Sequence, residues 1–565
     1  MNSKSQLDSL WALYYEPESY DVSGNKIMGR QAAGNAFLKA YALSDLENIG
    51  VYARNPDSFK LFGQQIDSML QSGKDKSVSY IPWGKPTNLK DFGGIFYPAP
   101  DISKLVDQRF FFGGVNSYSV IGITHTTASL EVINALSECY TSQLMPWDAI
   151  ICTSQSVKKS VENLYSQYYD ILSESLGASR KPNFELPIIP LGVHVDDFEI
   201  NDKEKKDARE KLNIKKNDIV VLFLGRLSFH AKAHHLPMYI ALQKVAESLP
   251  DEVNLHFVQT GWFPNNTIEA IYVNEAKKVA PSVTCHFMDG RDPKTKKTSY
   301  AVSDIFLSLV DNFQETFGLT PLEGMASGIP VVVSDWDGYR DTVRDGKDGF
   351  RISSTTMHPG SGYEYAIRYN LGVDNYDHYI GRASQTVSID IKECVDKILS
   401  LALNKELRRE MGKAAKKQAK EFDWSNILHK YYELKIMLDE KRIKLDTHPH
   451  PTKVYSPLRI QDPHTFFDGY STLKIDLNSV IIKNKNINNF DIADFYDFSS
   501  VSYLDNIAPD VVKIEKIYSY LIDNKHYLVS DINNDFQLEE SEIYKILLWL
   551  SKFGYISIMN KSDEK

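Results

Sequence analysis

Short apolar runs bounded by glycine and polar residues recur through the first 350 positions, with helical-period segments between them. Residues 7–15, 50–53, 94–97 and 119–124 read as strands of a first block, and 147–156 passes from strand through an N-cap serine into a helix. A second block opens with 218–226, an apolar run too short for a helix and closed by glycine. It continues through strands at 304–310 and 329–333. Between those two strands lie a polar loop and a helix start. That is the pattern of a parallel α/β unit whose ligand sits at the carboxyl edge of the strands.

Composition narrows the class. At 565 residues the chain is too long for one core and predicts two or three domains. Its 42% hydrophobic and 24% charged content is that of a globular protein. A net charge of −10 argues against nucleic acid as the main partner. The four cysteines (Cys139, Cys152, Cys285, Cys394) are scattered, without metal-ligand spacing, and read as thiols in a reducing compartment. No apolar run is long enough to span a bilayer, and the first residues have no hydrophobic signal region. The expectation is a cytoplasmic protein, with a peripheral contact at the inner membrane face left open.

Candidate chemistry concentrates in residues 311–350. Glu315 lies in the loop at the helix entrance, and Glu323, seven intervening residues later, lies in the first turns of the helix. A carboxylate accepts hydrogen bonds from neighbouring hydroxyls, so each suits a sugar or a ribose. Gly318 permits close backbone approach, Pro321 fits a first helical turn, and the amides of that turn favour an anion. Residues 315–332, E-T-F-G-L-T-P-L-E-G-M-A-S-G-I-P-V-V, resemble the E-x7-E element of retaining glycosyltransferases of family 4, which have the GT-B fold.

The resemblance implies an α/β architecture of two Rossmann-like domains facing a cleft. It implies a donor site at Glu315, Phe317, Gly318, Leu319, Thr320 and Glu323, with the base laid against backbone near Gly290 and Arg291. Arg226 and Lys232 would clamp the donor diphosphate, since fixed cations stabilise a leaving group gaining charge. His125, just past the strand at 119–124, would line the acceptor side; read alone, it fits a capping or satisfied histidine better. Gly29 and Gly34 sit in what reads as a loop opening a helix on the acceptor side, although a plain turn fits the same residues. The implied chemistry is transfer of a hexose from a UDP- or GDP-sugar to a saccharide, lipid-linked or protein acceptor, with no metal or other cofactor. His230, His234 and His235 lack ordered ligand spacing, and Asp335 and Asp337 read as turn residues rather than as a metal-binding D-x-D.

The expected domains are 1–205 for the acceptor, 206–405 for the donor, and helices at 406–445 crossing back to the first domain. A proline-bearing linker follows at 446–470. Residues 471–565 resemble a winged helix of three helices and a strand. They hold 10 lysines, no arginine and 15 acidic residues, so protein contact or oligomerisation is expected of them in place of DNA binding. Asp531, Asn533, Asp535 and Glu542 match calcium-loop spacing by coincidence, because Phe536 stands where the loop needs glycine. The aromatic-rich segment 351–388 either closes over a sugar or packs. Two other readings of the whole chain are a phosphorylase or sugar-nucleotide epimerase on the same fold, and a catalytically silent scaffold acting through the C-terminal module.

Overall fold

The structure is a computed structural model that describes residues 9–22, 29–70, 76–446, 462–484, 487–488 and 490–560. The chain forms two compact units, 1–457 and 458–565.

The first unit contains two six-stranded sheets. Ala12–Tyr14 (β1), Asn48–Ala53 (β2), Ser77–Pro82 (β3), Gly94–Phe96 (β4), Ser119–Ile123 (β5) and Ala149–Ile151 (β6) pair in the order β3-β2-β1-β4-β5-β6, all parallel. Ile219–Leu224 (β7), Leu255–Gly261 (β8), Val283–Asp289 (β9), Ile305–Ser308 (β10), Val331–Ser334 (β11) and Gly349–Ile352 (β12) pair as β12-β11-β10-β7-β8-β9, again all parallel. Both sheets are doubly wound. Strand order reverses between β1 and β4 in one and between β7 and β10 in the other, and such points open crevices for ligands. The architecture is α/β of the GT-B class.

The local reasons follow from residue type. Every residue of β7, β10 and β11 is buried, as expected of parallel strands covered by helices on both faces. Register is fixed by pairs such as Phe306 with Val331 and Ile305 with Val221. The edge strand β3 gave little signal because only Ile81 in it is buried, and Pro82 is tolerated at an edge. Expected strand 7–15 narrows to β1, with Leu7 outside the described residues. The charged run after residue 201 is the helix Asp202–Lys211, opened by a capping box between Asn201 and Glu204.

Two expectations about this unit are corrected. Gly29 and Gly34 lie in no loop: both belong to the helix Gly29–Leu43. The crossing back to the first sheet also begins later than residue 406. Helix Lys405–Ala419 packs on the second half, where a Cβ on Gly412 would meet the Gly328 carbonyl at 2.3 Å. The return occurs at Phe422–Trp424, where Val193 and Trp424 exchange backbone hydrogen bonds with the facing segment. Helix Trp424–Asp446 then lays Trp424 and Tyr431 against Phe37, at 5.5 and 5.3 Å.

An antiparallel pair, Ser354–Thr355 (β13) with Ser388–Ile389 (β14), brackets the segment 356–387. It holds the helices Tyr363–Asn370 and Tyr376–Ser384, joined at Asp374, which Arg368 and Arg382 hold at 2.9 and 2.8 Å.

In the second unit, Val480–Lys483 (β15) is the central strand between His526–Leu528 (β16) and Ile556–Met559 (β17), all antiparallel. Helices Val511–Tyr520, Val529–Phe536 and Glu540–Lys552 surround a core that includes Ile514, Ile532 and Leu547. Three strands are present where one was expected. The segment 527–536 is divided between β16 and a helix, and Asp531, Asn533 and Asp535 lie in that helix. Of the linker, 447–461 lies outside the described residues.

Candidate functional site

The chain leaving β7 and the chain leaving β10 emerge side by side at the reversal point of the second sheet. Gly225, Arg226 and Lys232 follow β7; Asp311, Asn312 and Glu315 follow β10. Lys232 Nζ and Glu315 Oε2 form an ion pair, with side chains 21% and 12% exposed. Arg226 donates from Nη2 to the Ala231 carbonyl at 2.9 Å. Burial holds its guanidinium below the usual range, and Asp377 and Tyr376 of the 356–387 segment oppose that shift.

Glycine packing shapes this edge. A Cβ on Gly261 would stand 1.9 Å from the Gly225 carbonyl oxygen, and one on Gly290 would stand 3.0 Å from Gly261 Cα. The ends of β7, β8 and β9 therefore meet backbone to backbone, with the Gly290 N–H donating to the Gly261 carbonyl at 2.9 Å. Arg291 is taken up by Asp289, at 2.6 Å, so a donor role for its side chain would require leaving that pair.

Gly318 caps the helix Leu319–Ala326 at φ +86°, and a Cβ there would fall 1.9 Å from the Tyr339 ring. The Phe317 side chain is buried in the core, 6.2 Å from Phe422, so only its backbone is offered to a ligand. Leu319 also packs against the core, while Thr320 Oγ1 is buried with no hydrogen-bond partner among the described residues. Glu323 is nearly buried. Its Oε1 accepts from Lys296 Nζ at 2.7 Å and its Oε2 accepts from the Tyr300 hydroxyl at 2.6 Å. Lys296 and Tyr300 were not singled out from the sequence. Their spacing of four puts both on one face of the helix Pro293–Val302, but nothing local points to Glu323.

The first sheet contributes from across the cleft. The His125 carbonyl accepts from Thr316 Oγ1 at 2.9 Å, tying the end of β5 to the loop that carries Glu315. Burial, with Arg30 nearby, pushes the His125 imidazole down to about 4. Gly29 stands in open space at the start of its helix, whereas Gly34 lets that helix approach Ser19, whose carbonyl oxygen a Cβ would meet at 2.3 Å. Neither forms a ligand loop.

Asp337, at φ +41°, accepts from Ser154 Oγ at 2.9 Å. Asp341 accepts the Gln155 N–H at 2.7 Å, at the start of helix Gln155–Leu176. Burial raises the Asp337 carboxyl to about 7, with Glu315 and Asp341 adding to the shift. A cavity of 330 Å³ lies here, with Glu315, Phe313, Asp335, Trp336, Asp337 and Arg340 on one side and Thr127, Ser156 and Ser160 on the other. Tyr369, Tyr376 and Tyr379 of segment 356–387 pack, whereas Tyr363 is exposed. Tyr369 accepts the Leu130 N–H at 3.1 Å and stacks on Tyr379 at 4.7 Å, while the Tyr376 hydroxyl donates to Gln314 Oε1 at 3.1 Å.

His234 caps the helix His235–Ser248, and the two histidines have separate partners. His235 pairs with Glu275 at 2.6 Å, and His234 Nδ1 accepts the Leu236 N–H at 3.4 Å. Among the described residues no three His, Cys, Asp or Glu side chains are grouped as for a metal ion, and no helix is long and apolar enough to cross a membrane.

Similarity to known proteins centres on this half. Residues 204–358 match the family described as Glycosyl transferases group 1. The D-inositol 3-phosphate glycosyltransferase of Geodermatophilus obscurus is 30% identical over 170 residues, 29% of this chain and 36% of the relative. The spore coat protein SA of Bacillus subtilis is 30% identical over 152 residues, 26% of this chain and 39% of the relative. The alpha-monoglucosyldiacylglycerol synthase of Streptococcus pneumoniae is 28% identical over 192 residues, covering 33% and 37%. The chain thus spans well under half the length of these relatives. Among solved structures, Anabaena Alr3699/HepE in complex with UDP aligns over 75% of this chain and 98% of its own, at 14% identity and TM-score 0.47. Sucrose-phosphate synthase from Thermosynechococcus elongatus aligns over 77% and 100%, at 15% identity and TM-score 0.46. Residues 204–358, the stretch that matches the group 1 glycosyltransferase family, carry Arg226, Lys232, Glu315 and Glu323.

Proposed function

We propose that the protein is a retaining glycosyltransferase that moves a hexose from a nucleotide diphosphate sugar to an acceptor hydroxyl in glycan, polysaccharide or glycolipid assembly. The observation that carries the reading is the meeting of Lys232 and Glu315 at the reversal point of the second sheet, on a segment matched to the group 1 family. The names of the relatives support it: they include a glycosyltransferase and a glycolipid synthase.

In this reading Arg226 and Lys232 hold the diphosphate. Glu323 accepts from the ribose hydroxyls and Glu315 from the sugar hydroxyls. Lys296 and Tyr300 orient the Glu323 carboxylate. The bond from the sugar anomeric carbon to the phosphate oxygen breaks as the acceptor oxygen bonds to the same carbon from the leaving-group side. The acceptor proton passes to the departing diphosphate, whose charge the two cations meet. No metal is assigned a part. His125, kept neutral near pH 7 by burial, lines the reacting face and can hydrogen-bond without adding charge. The C-terminal unit is read as a winged-helix-like accessory for protein contact or oligomerisation, and the protein as cytoplasmic.

The test is a thermal-shift panel with UDP, GDP, ADP and CMP on the wild type, Glu323→Ala and Arg226→Ala. Ligand at a hundred times its dissociation constant stabilises by about 2.7 kcal/mol. One nucleotide that stabilises the wild type and neither variant is the expected result. No response to any nucleotide would remove the donor assignment.

A further inference from the structure

We infer that the 330 Å³ cavity beside Glu315 receives the acceptor as an uncharged, hydroxyl-bearing saccharide and discriminates against phosphorylated acceptors. The inference rests on the transferase reading and deepens it by naming the acceptor class.

The cavity's size lies at the low end of ligand pockets, which run about 300–1,000 Å³. Its walls have two chemistries. Phe313, 40% exposed, stands edge-on to Trp336 with ring centroids 5.2 Å apart. Trp336 is anchored by its indole N–H to the Asn312 carbonyl at 3.2 Å, so it presents a fixed aromatic surface. Such a surface covers the apolar face of a pyranose ring, while polar groups around it read the hydroxyls.

The polar groups are the wrong sign for an anion. Asp335 and Glu315 face the cavity with Asp337, whose carboxyl burial raises to about 7, against one guanidinium, Arg340, which lies 3.7 Å from Asp335. Arg351 also sits 3.5 Å from Asp335, and Lys232 is already paired to Glu315, so the nearby cations are engaged. A phosphate here would meet carboxylates within a partly closed space, where like charges repel strongly. Acceptor hydroxyls would instead donate to Asp335. Asp337 in its protonated form can donate in return, and Thr127 and Ser156 add hydroxyls from the other half of the unit.

The experiment is saturation-transfer NMR on the full chain, with and without saturating UDP or GDP. The probes are a set of methyl hexosides and the matching hexose 6-phosphates. At least one methyl hexoside is expected to bind, and its phosphate to bind at least tenfold more weakly. Phe313→Ala and Trp336→Phe are each expected to weaken hexoside binding at least fivefold while the nucleotide thermal shift is unchanged; the exposed Phe313 makes the first variant a mild one for folding. Tighter binding of the phosphates, binding unaffected by either variant, or no hexoside binding despite a nucleotide response would each overturn the inference alone. Hexoside binding with no response to any nucleotide would support a saccharide site and overturn the donor reading instead.

Discussion

Lys232 and Glu315, 83 positions apart in sequence, form an ion pair where the chain leaves β7 and β10. Their roles in the proposed reaction differ, and so should their variants. Lys232→Ala is expected to abolish the nucleotide-dependent thermal shift. Glu315→Ala is expected to keep that shift while transfer falls by about a hundredfold or more, the scale for losing one transition-state contact. Equal loss of nucleotide binding in both variants would contradict this division.

Gly318 is expected to be intolerant of any side chain. At φ +86° an added Cβ is strained, and here it would also fall 1.9 Å from the Tyr339 ring. Gly318→Ala should lower the melting temperature by an amount equivalent to about 1–3 kcal/mol or more. Trimming Tyr339 in the same chain removes the clash but not the backbone strain, so the double variant should recover only part of the loss.

Asp337 should make stability fall as pH rises. Its carboxyl is raised from the ordinary 3.8 to about 7 by burial, so the folded state binds the proton more tightly than the unfolded chain. The stabilising contribution is full below the unfolded value and is lost as pH passes through about 7. Asp311, also raised to about 7 by burial, acts in the same direction. Melting curves from pH 5 to 8 should therefore show Asp337→Asn gaining on the wild type as pH rises. Parallel curves would count against the shift.

A buried ion pair supports the first sheet. Arg109 and Asp148 meet through two hydrogen bonds of 2.6 and 2.7 Å with both side chains almost fully buried, and Arg109 also donates to the Tyr118 carbonyl at 2.7 Å. Arg109→Met should cost about 3–5 kcal/mol, because it leaves a buried carboxylate without its cation. Urea unfolding measures it, and Arg109→Met/Asp148→Asn should be less destabilised than the single variant.

Much of the donor half was legible because its signals are local. The apolar runs of β7, β10 and β11 identify strands without knowledge of their partners. The Glu315–Glu323 spacing, the glycine between them and the cations after β7 are readable in a single segment. The acceptor half was less so. Gly29 to Gly34 looked like a loop because two glycines usually punctuate structure, yet tight packing on Ser19 explains Gly34 inside a helix. Edge strand β3, with mostly part-exposed residues, offered little apolar signal. In the segment 356–387 the tyrosines were visible, but whether they cover a ligand or a neighbouring loop depended on where Leu130 and Gln314 come to lie.

By itself the sequence determined two α/β blocks, the strands β1, β2, β4, β5, β6, β7, β10 and β11 within them, and the segment bearing Glu315 and Glu323. Tertiary structure alone decided that Lys296 and Tyr300 hold Glu323, that Thr316 bonds the His125 carbonyl, and that Asp337 and Asp341 grip the start of helix Gln155–Leu176. The physical reason is range. Periodicity, capping and glycine placement act between residues a few positions apart, whereas these contacts join groups from 23 to 191 positions apart. Only the reversal of strand order and the packing of the two halves bring such residues to one edge.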